Sequence, residues 1–526
     1  MSTPGASISA SASPAAGATY LIAFVCGMAA FMEVLDTSIA NVALVHIAGS
    51  LSASRDESTW VLTSYLVSNA IILPMTGWLA DTIGRKRYYL ISMALFTVAS
   101  VLCGLATSLP ALIFFRVLQG LAGGALQPIS QSILADSFPP EKRGMALAVY
   151  GMAVVAGPAI GPTLGGYITD NFSWHWIFLI NAPVGVGLIA LAGALLHDSP
   201  AQLAVQEKRK REGYTVDYVG FALIVLSMGA LQIMLDKGQQ EDWLDSDFIR
   251  GCLFVTVTST ILLVWRELTH AHPIVNLRLL ANRNFAIANL MVVAMGVTLI
   301  GSTLLLPQLM QTLLGYSALD AGMVLSPAAL MTVLMMPLIG RLSGRVDARI
   351  LCSIGFIAIS GSMLALAQIS LDISSTQLVW LRIFQTFGIA FIFVPINALA
   401  YAGLPPGETG SATAIINLMR NIGGGLGVSL VTTYLARSAQ VQQAHLVDRV
   451  SELDPVYQST VQTLSGAMGS EQAAQAVIAQ QVGQQAALLS FIDDFQLLAI
   501  FAIALVPVIW MTTRVRPGAA PPPGAH

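Results

Sequence analysis

Charge is what this sequence has least of: Asp, Glu, Lys and Arg make up 10% of its 526 residues, against roughly 25% in an ordinary soluble domain. With 55% hydrophobic residues, too little polar surface remains to cover a water-soluble globule. The same figures exclude a disordered polymer, because disorder goes with low hydrophobicity and high net charge. The net charge is −3 and the basic residues are scattered, so no strip follows a nucleic-acid backbone. No Gly-Lys-Ser phosphate loop is present, which argues against ATP as the energy source. Nor is there a nucleophile–base constellation or a soluble catalytic domain, so no catalytic residue and no enzyme activity are expected. The four cysteines all sit in apolar runs and read as small hydrophobes. His270 and His272 are the only close pair among seven histidines, too few ligands for a metal site. No basic stretch precedes the first apolar run, and the first Lys or Arg is Arg55. That run is therefore expected to remain as a membrane span.

What the chain does contain is long apolar runs. A bilayer core takes about 20 apolar residues per helix. On that measure fourteen runs begin near residues 18, 58, 87, 110, 144, 174, 217, 248, 286, 319, 350, 376, 410 and 493. Their length and continuity predict helices rather than alternating barrel strands, so the fold class is an all-α polytopic membrane protein. With both termini in the cytoplasm, sixteen Lys and Arg fall in cytoplasmic segments and five in external ones, as the positive-inside rule requires. The run Lys208–Arg211 is read as part of that topology signal.

The chain also repeats itself. Pro74-Met-Thr-Gly77 recurs as Pro337-Leu-Ile-Gly340 at an offset of 263, each followed by a loop mixing Gly, Asp and Arg. Arg116-Val-Leu-Gln119 recurs as Arg382-Ile-Phe-Gln385, and Pro139-Pro140 with Gly144 as Pro405-Pro406 with Gly410, both at 266. Such an offset exceeds six helices, so two spans are inserted between duplicated six-helix halves. The domains expected are a disordered tail 1–17, an N-terminal six-helix bundle 18–198, and a cytoplasmic linker with two inserted spans over 199–270. A C-terminal bundle 271–513, containing a long external segment 438–492, and a tail 514–526 complete the chain.

Several motifs carry chemistry. Glu33 and Asp36 lie three residues apart in the middle of the first span, and Arg116 lies inside the fourth. Ionisable groups in a membrane are costly and mark ion or substrate paths. Two carboxylates on one low-dielectric face do not both ionise easily, which makes Glu33 and Asp36, with Arg116, candidates for proton coupling. The bland alternative is an Arg–carboxylate pair that only fixes helix packing. Gly77-Trp-Leu-Ala-Asp81-Thr-Ile-Gly84-Arg85 closes the second span. It reads either as a basic loop with a helix terminator or as a latch whose Asp81 faces the helix start near Gly410. Gly77, Asp81, Gly84 and Arg85, with Asp347 in the repeated loop, are the candidate gating residues. The fifth span holds Gly157-Pro158, Gly161-Pro162 and Gly165-Gly166, a pattern that permits close helix approach and bending.

Jointly these strings resemble the major facilitator superfamily. The span 2–3 string is similar to its signature loop, Arg116-x-x-Gln119-Gly120 to its span-4 motif, and Gly157 to Gly166 to the antiporter motif of its drug exporters. Leu35-Asp36-Thr-Ser-Ile-Ala-Asn41 resembles the span-1 motif of fourteen-span drug:proton antiporters of the EmrB/QacA type. The likeness runs over nearly the whole chain and includes Leu231-Gln-Ile-Met-Leu-Asp236 in the inserted pair. It implies the major facilitator fold in the bacterial inner membrane and proton-driven export of lipophilic, amphipathic or cationic drugs, with the proton gradient in place of any cofactor. It further implies a periplasmic membrane-fusion adaptor and an outer-membrane channel as partners. The segment 438–492, with eleven Gln, is read as helical extensions that meet such an adaptor or as an unattached external loop.

The intramembrane polar residues Asn41, Gln119, Gln127, Gln308, Gln311, Arg382, Asn397, Asn417 and Arg420, together with Met310 from a methionine-rich pair of spans, are the candidate substrate cavity. Flexible thioethers suit a cavity that accepts many shapes, although core filling explains methionines equally. The mechanism expected is rocking of two halves around a midplane site. The alternatives are export of a specific metabolite or siderophore-like compound, another proton-coupled solute transporter, or a membrane enzyme or receptor.

Overall fold

The computed structural model describes residues 16–513 except 139, 199–201, 204–205, 208–210, 212–216, 271–272, 403, 405–407, 448–449 and 451–453. Lys208–Lys210, Pro139, Pro405, Pro406 and His272 from the sequence reading, and most of both tails, lie outside the described residues.

All the elements among the described residues are helices. The first half consists of α1 (Ala16–Ser50), α2 (Arg55–Ile72) continued by α3 (Thr76–Ile83), α4 (Arg85–Gly104), and α5 (Leu109–Gly123) continued by α6 (Leu126–Ser137). It is completed by α7 (Pro140–Asn171) and by α8 (Trp176–Leu179) with α9 (Asn181–Leu195). The inserted pair is α10 (Tyr218–Lys237) and α11 (Asp247–Thr269). The second half comprises α12 (Arg283–Thr312), α13 (Ala318–Ser343), α14 (Ala348–Leu366), α15 (Ser375–Tyr401) and α16 (Thr409–Val447). After a separate helix α17 (Pro455–Met468), it closes with α18 (Glu471–Ala504) and the short α19 (Val506–Ile509). Among the described residues thirteen helical stretches are long and apolar enough to span a bilayer, and α7, bent by 41° beside Pro158, makes fourteen when its two arms are taken as one span.

Local chemistry explains the boundaries. Ser54, Ser317 and Ser374 close capping boxes with Glu57, Asp320 and Gln377, satisfying amides that would otherwise be orphaned. Pro74 turns the second span through a short 3-10 segment, Leu73–Met75. Gly84 ends α3 at φ +97°, a backbone conformation that L side chains rarely adopt. Leu95, Val98, Phe114, Ile261 and Trp265 are exposed on the helix surfaces, where lipid takes the place of water.

The halves meet along α7 against α13 and along α16 against α3 and α6. At the end carrying Arg85, Lys86, Arg87, Arg143 and Arg341, called here the basic end, the repeat produces matched seams. A Cβ on Gly77 would lie 3.0 Å from the Ser411 backbone beside Gly410, and one on Gly340 would lie 2.9 Å from the Gly144 carbonyl. The two glycine pairs that recur in sequence thus bring the halves into backbone contact at this end, and this conformation is closed there. The inserted α10 lies against α2 on one side and α16 on the other.

Candidate functional site

The first span crosses the N-terminal half against α7, α6, α2 and α9, and its two acids enter different polar networks. Asp36 is 2% exposed and Arg116 not at all. Arg116 Nη1 donates to Asp36 Oδ2 at 2.6 Å, while Gln119 and Asn181 amides donate to Oδ1 at 2.9 and 2.7 Å. Arg116 Nε donates to the Val61 carbonyl and Nη1 also to Gln119. Asp36 therefore has a counter-ion and two further donors, the condition under which a buried ion pair holds.

Glu33 has no counter-ion within this arrangement. It is 5% exposed, and its oxygens accept from Tyr65 Oη at 3.3 Å, Asn69 Nδ2 at 3.1 Å and Gln127 Nε2. All three donors are neutral. Arg116 reaches this network only through the Tyr65 ring, over which its guanidinium stacks at 4.2 Å. Spacing alone had put Glu33 and Asp36 on one face as a shared pair. Three residues turn the helix by about 300°, and that 60° offset is enough to aim one acid at α2 and α6 and the other at α5 and α9.

A hydrogen-bonded chain leads from Glu33 across the interface. Gln127 accepts from Tyr150 Oη at 3.4 Å, and Tyr150 Oη accepts from Gln131 Nε2 at 3.2 Å. Gln131 exchanges amide hydrogen bonds with Asn417 of the second half, whose Oδ1 accepts from Arg420 Nη1 at 2.9 Å. Arg420 stacks over Phe393 at 5.2 Å, and its Nε and Nη2 have no hydrogen-bond partner. Tyr65, Asn69, Gln131, Tyr150 and Asn181 were not singled out by the sequence, because their partners are 19 to 286 residues away. The repeat of the Arg116 site was legible but is not matched in chemistry. Arg382 donates to Gln385 at 2.6 Å and to Thr303 at 3.0 Å, with no carboxylate beside it among the described residues.

The remaining candidates distribute unevenly. Gln119 belongs to the Asp36 network and Gln127 to that of Glu33. Asn397 donates to the Phe393 carbonyl one turn back, leaving its Oδ1 unpaired. Asn41 and Gln311 are exposed. Met310 is fully buried in the core of the second half. Gln308 lines a cavity of about 310 Å³ between α12, α16 and α18 rather than the interface between halves.

At the basic end, Asp81 is 5% exposed and lies 3.8 Å from the Cβ position of Gly410 in the first turn of α16. That is the helix terminus the sequence nominated. Gln202, from the segment after α9, donates to Asp81 at 3.1 Å and accepts from Arg85 at 2.6 Å. Arg85 also pairs with Asp136, and Asp198 accepts from the Lys86 amide at 2.9 Å. Asp347 instead caps α14 and pairs with Arg349 at 2.8 Å within its own half. In α7, Gly157, Gly161 and Gly165 face Val34, Ser38 and Ile39 of α1, while Gly166 faces open space. Gly151, one face further on, abuts Phe393 and Met336 of the other half. Among the described residues no group of His, Cys, Asp and Glu is arranged to hold a metal ion.

Comparisons with known proteins agree with this geometry. The family model described as Major Facilitator Superfamily matches residues 26–428. The chain is 38% identical to the multidrug export protein EmrB of Haemophilus influenzae, over 94% of this chain and 96% of that protein. It is also 38% identical to EmrB of Escherichia coli K12, over 95% and 94%. It is 35% identical to the fatty acid resistance protein FarB of Neisseria gonorrhoeae, over 92% of this chain and 94% of that protein. Among solved structures, the proton:xylose symporter XylE superposes with a TM-score of 0.62 at 14% identity, covering 95% of this chain and 96% of that one.

Proposed function

The chain belongs to the major facilitator superfamily, and from that premise we propose that it is a proton-driven multidrug efflux transporter of the bacterial inner membrane, with the basic end in the cytoplasm. The observation that carries this reading is the separation of the two acids. Asp36 is a fixed ion pair with Arg116, whereas Glu33 meets only neutral donors and is the group free to bind and release a proton.

In the closed basic-end conformation, a proton from the periplasmic side occupies Glu33. Rocking of the halves then opens the basic end, where lipophilic substrate reaching the midplane from the cytoplasm or inner leaflet displaces the proton, through the Gln127–Tyr150–Gln131–Asn417 chain that ends on Arg420. Rocking back with substrate bound completes the exchange. Asp81, held against the first turn of α16, favours the outward-facing state through the helix dipole. The near-full-length likeness to EmrB proteins supports work with a periplasmic adaptor and an outer-membrane channel, and α16 and α18 extend toward where such an adaptor would dock.

A second reading concerns substrate charge. Arg420 presents two unpartnered nitrogens and Arg382 has no carboxylate, so the second half favours amphiphiles bearing an acid group. The relative named for fatty acid resistance fits that preference.

The test is substrate-induced proton release from purified protein in weak buffer, read by a pH dye for wild type, Glu33→Gln and Asp36→Asn. Release that vanishes in Glu33→Gln, with substrate binding retained, is the expected result. Undiminished release from that variant removes Glu33 from coupling. Parallel titration with lipophilic cations and with amphipathic carboxylates reads the charge preference, which Arg420→Gln should abolish for the acids alone.

A further inference from the structure

A carboxyl group with no hydrogen-bond partner is seldom buried, because leaving it unpaired costs free energy that nothing returns. Asp494 of α18 is such a group: it is fully buried, and neither Oδ1 nor Oδ2 has a partner. Its neighbour Asp493 is different. There Oδ2 accepts from Ser438 Oγ and from Gln442 Nε2 at 2.9 Å, both on α16. Adjacent helical residues point about 100° apart, so Asp493 takes the available donors and Asp494 is turned away from them.

Its surroundings are also distinctive. Ser490, one turn earlier on the same face, lines the 310 Å³ cavity with Gln308, Thr432 and Phe491. Leu498, one turn later, packs toward Gly301 of α12. Asp494 thus sits one turn from that cavity, in the seam between α18, α12 and α16. The pairing of Asp493 with Ser438 places this site roughly 40 Å along α16 from Thr409, at the end of the second half opposite the basic end. No cation faces it. On α16 the nearest titratable group is Tyr434, with Arg437 exposed one turn beyond; α12 offers Arg283, and α14 offers Arg349 and Cys352, only at their basic ends. On α17, Tyr457 lies past the far end, and α19 has none.

We propose that Asp494 is a second proton-binding site, loaded from periplasmic water through the adjacent cavity, and that its protonated form stabilises the conformation closed at the basic end. Deprotonation leaves a bare carboxylate in the α18–α12–α16 seam, which is relieved when these helices shift and admit water. Acid outside therefore favours basic-end closure, and alkali favours opening. The consequence for transport rests on the proton-driven reading above, but the titration below uses no substrate and stands or falls separately from drug-induced release.

The experiment measures the distance between spin labels at Arg87→Cys and Arg341→Cys, both exposed at the basic end, in full-length protein lacking its native cysteines. It is run across pH in a Glu33→Gln background. Titration of one group shifts an equilibrium by up to about tenfold per pH unit, so the closed fraction should fall measurably as pH rises. Adding Asp494→Asn should flatten the titration and hold the closed form, whereas Asp494→Glu should keep the response with a displaced midpoint. An unchanged titration in Asp494→Asn overturns the proposal. If that variant does not fold, an unmoved midpoint in Asp494→Glu does so instead.

Discussion

At the scale of single residues, the two acids of α1 make opposite demands on stability. Replacing Asp36 leaves Arg116 buried without a charge partner, a situation that costs about 3–5 kcal/mol. Asp36→Asn should therefore lower the thermal midpoint in detergent markedly, and removing the charge at Arg116 as well (Asp36→Asn with Arg116→Gln) should recover part of the loss. Glu33→Gln keeps one oxygen for the Tyr65 and Asn69 donors, and its new NH2 can be met by turning the Gln127 amide so that its oxygen accepts; the variant should unfold closer to wild type than Asp36→Asn. Thermal unfolding followed by intrinsic fluorescence distinguishes the two; equal destabilisation would mean that Glu33 is also held as a structural charge. The individual acids and Arg116 were legible in the sequence because charge inside an apolar run stands out. Their separation into two networks was not, since it depends on a 60° helical offset and on amide donors from α2, α5, α6 and α9 that have no spacing relation to α1.

At the scale of the element, α7 links the carboxylate helix to the other half. Its glycines lie on α1 while Gly151 touches Phe393 and Met336. A Cβ on Gly161 would meet Ser38 Oγ at 2.3 Å and Ser38 Cβ at 2.5 Å, a clash that hydroxyl rotation alone does not relieve. Overpacking of this kind costs about 1–3 kcal/mol, and here it would displace α1 with Glu33 and Asp36. Gly161→Ala should reduce substrate efflux from vesicles while the protein still inserts, and Ser38→Gly should restore it. Gly166→Ala, with no atom within 4 Å of its Cβ position, should transport normally; a loss there equal to that of Gly161→Ala would refute the packing argument. The Gly/Pro spacing made close approach in this span readable, but not which glycines face α1. Gly157, Gly161 and Gly165 share one face at four-residue spacing, but which face meets α1 is set by tertiary packing and not by the spacing.

At the scale of the whole molecule, the duplicated motifs, the inserted pair and the span count were recoverable from sequence because hydropathy and repeat offset are one-dimensional signals. How the inserted α10 is held was not. Thr63 donates to Asp236, Lys237 binds Thr59 and stacks over Trp60, and Trp243 just beyond α10 donates to Thr433 at 2.9 Å. The insertion is thereby bonded to both halves along one side of their interface, while the glycine seams close the basic end. Those seams make a prediction that depends on the repeat itself. Gly340 and Gly144 approach so closely that a Cβ on Gly340 would lie 2.9 Å from a backbone carbonyl, which has no rotamer by which to yield. The contact exists only while the basic end is closed, so an added methyl penalises that state selectively. A penalty of about 1–3 kcal/mol corresponds to roughly a five- to 150-fold shift in the open-to-closed ratio. Thr76, 1% exposed and beside Gly77 and Gly410 at the partner seam, reports the change. A cysteine at Thr76 in a background without native cysteines should react with a membrane-impermeant maleimide supplied at the basic end far faster when Gly340→Ala is present. Since Thr76 belongs to the other seam, faster labelling there requires the two halves to separate as bodies. Unchanged reactivity would mean that the seams yield locally and independently.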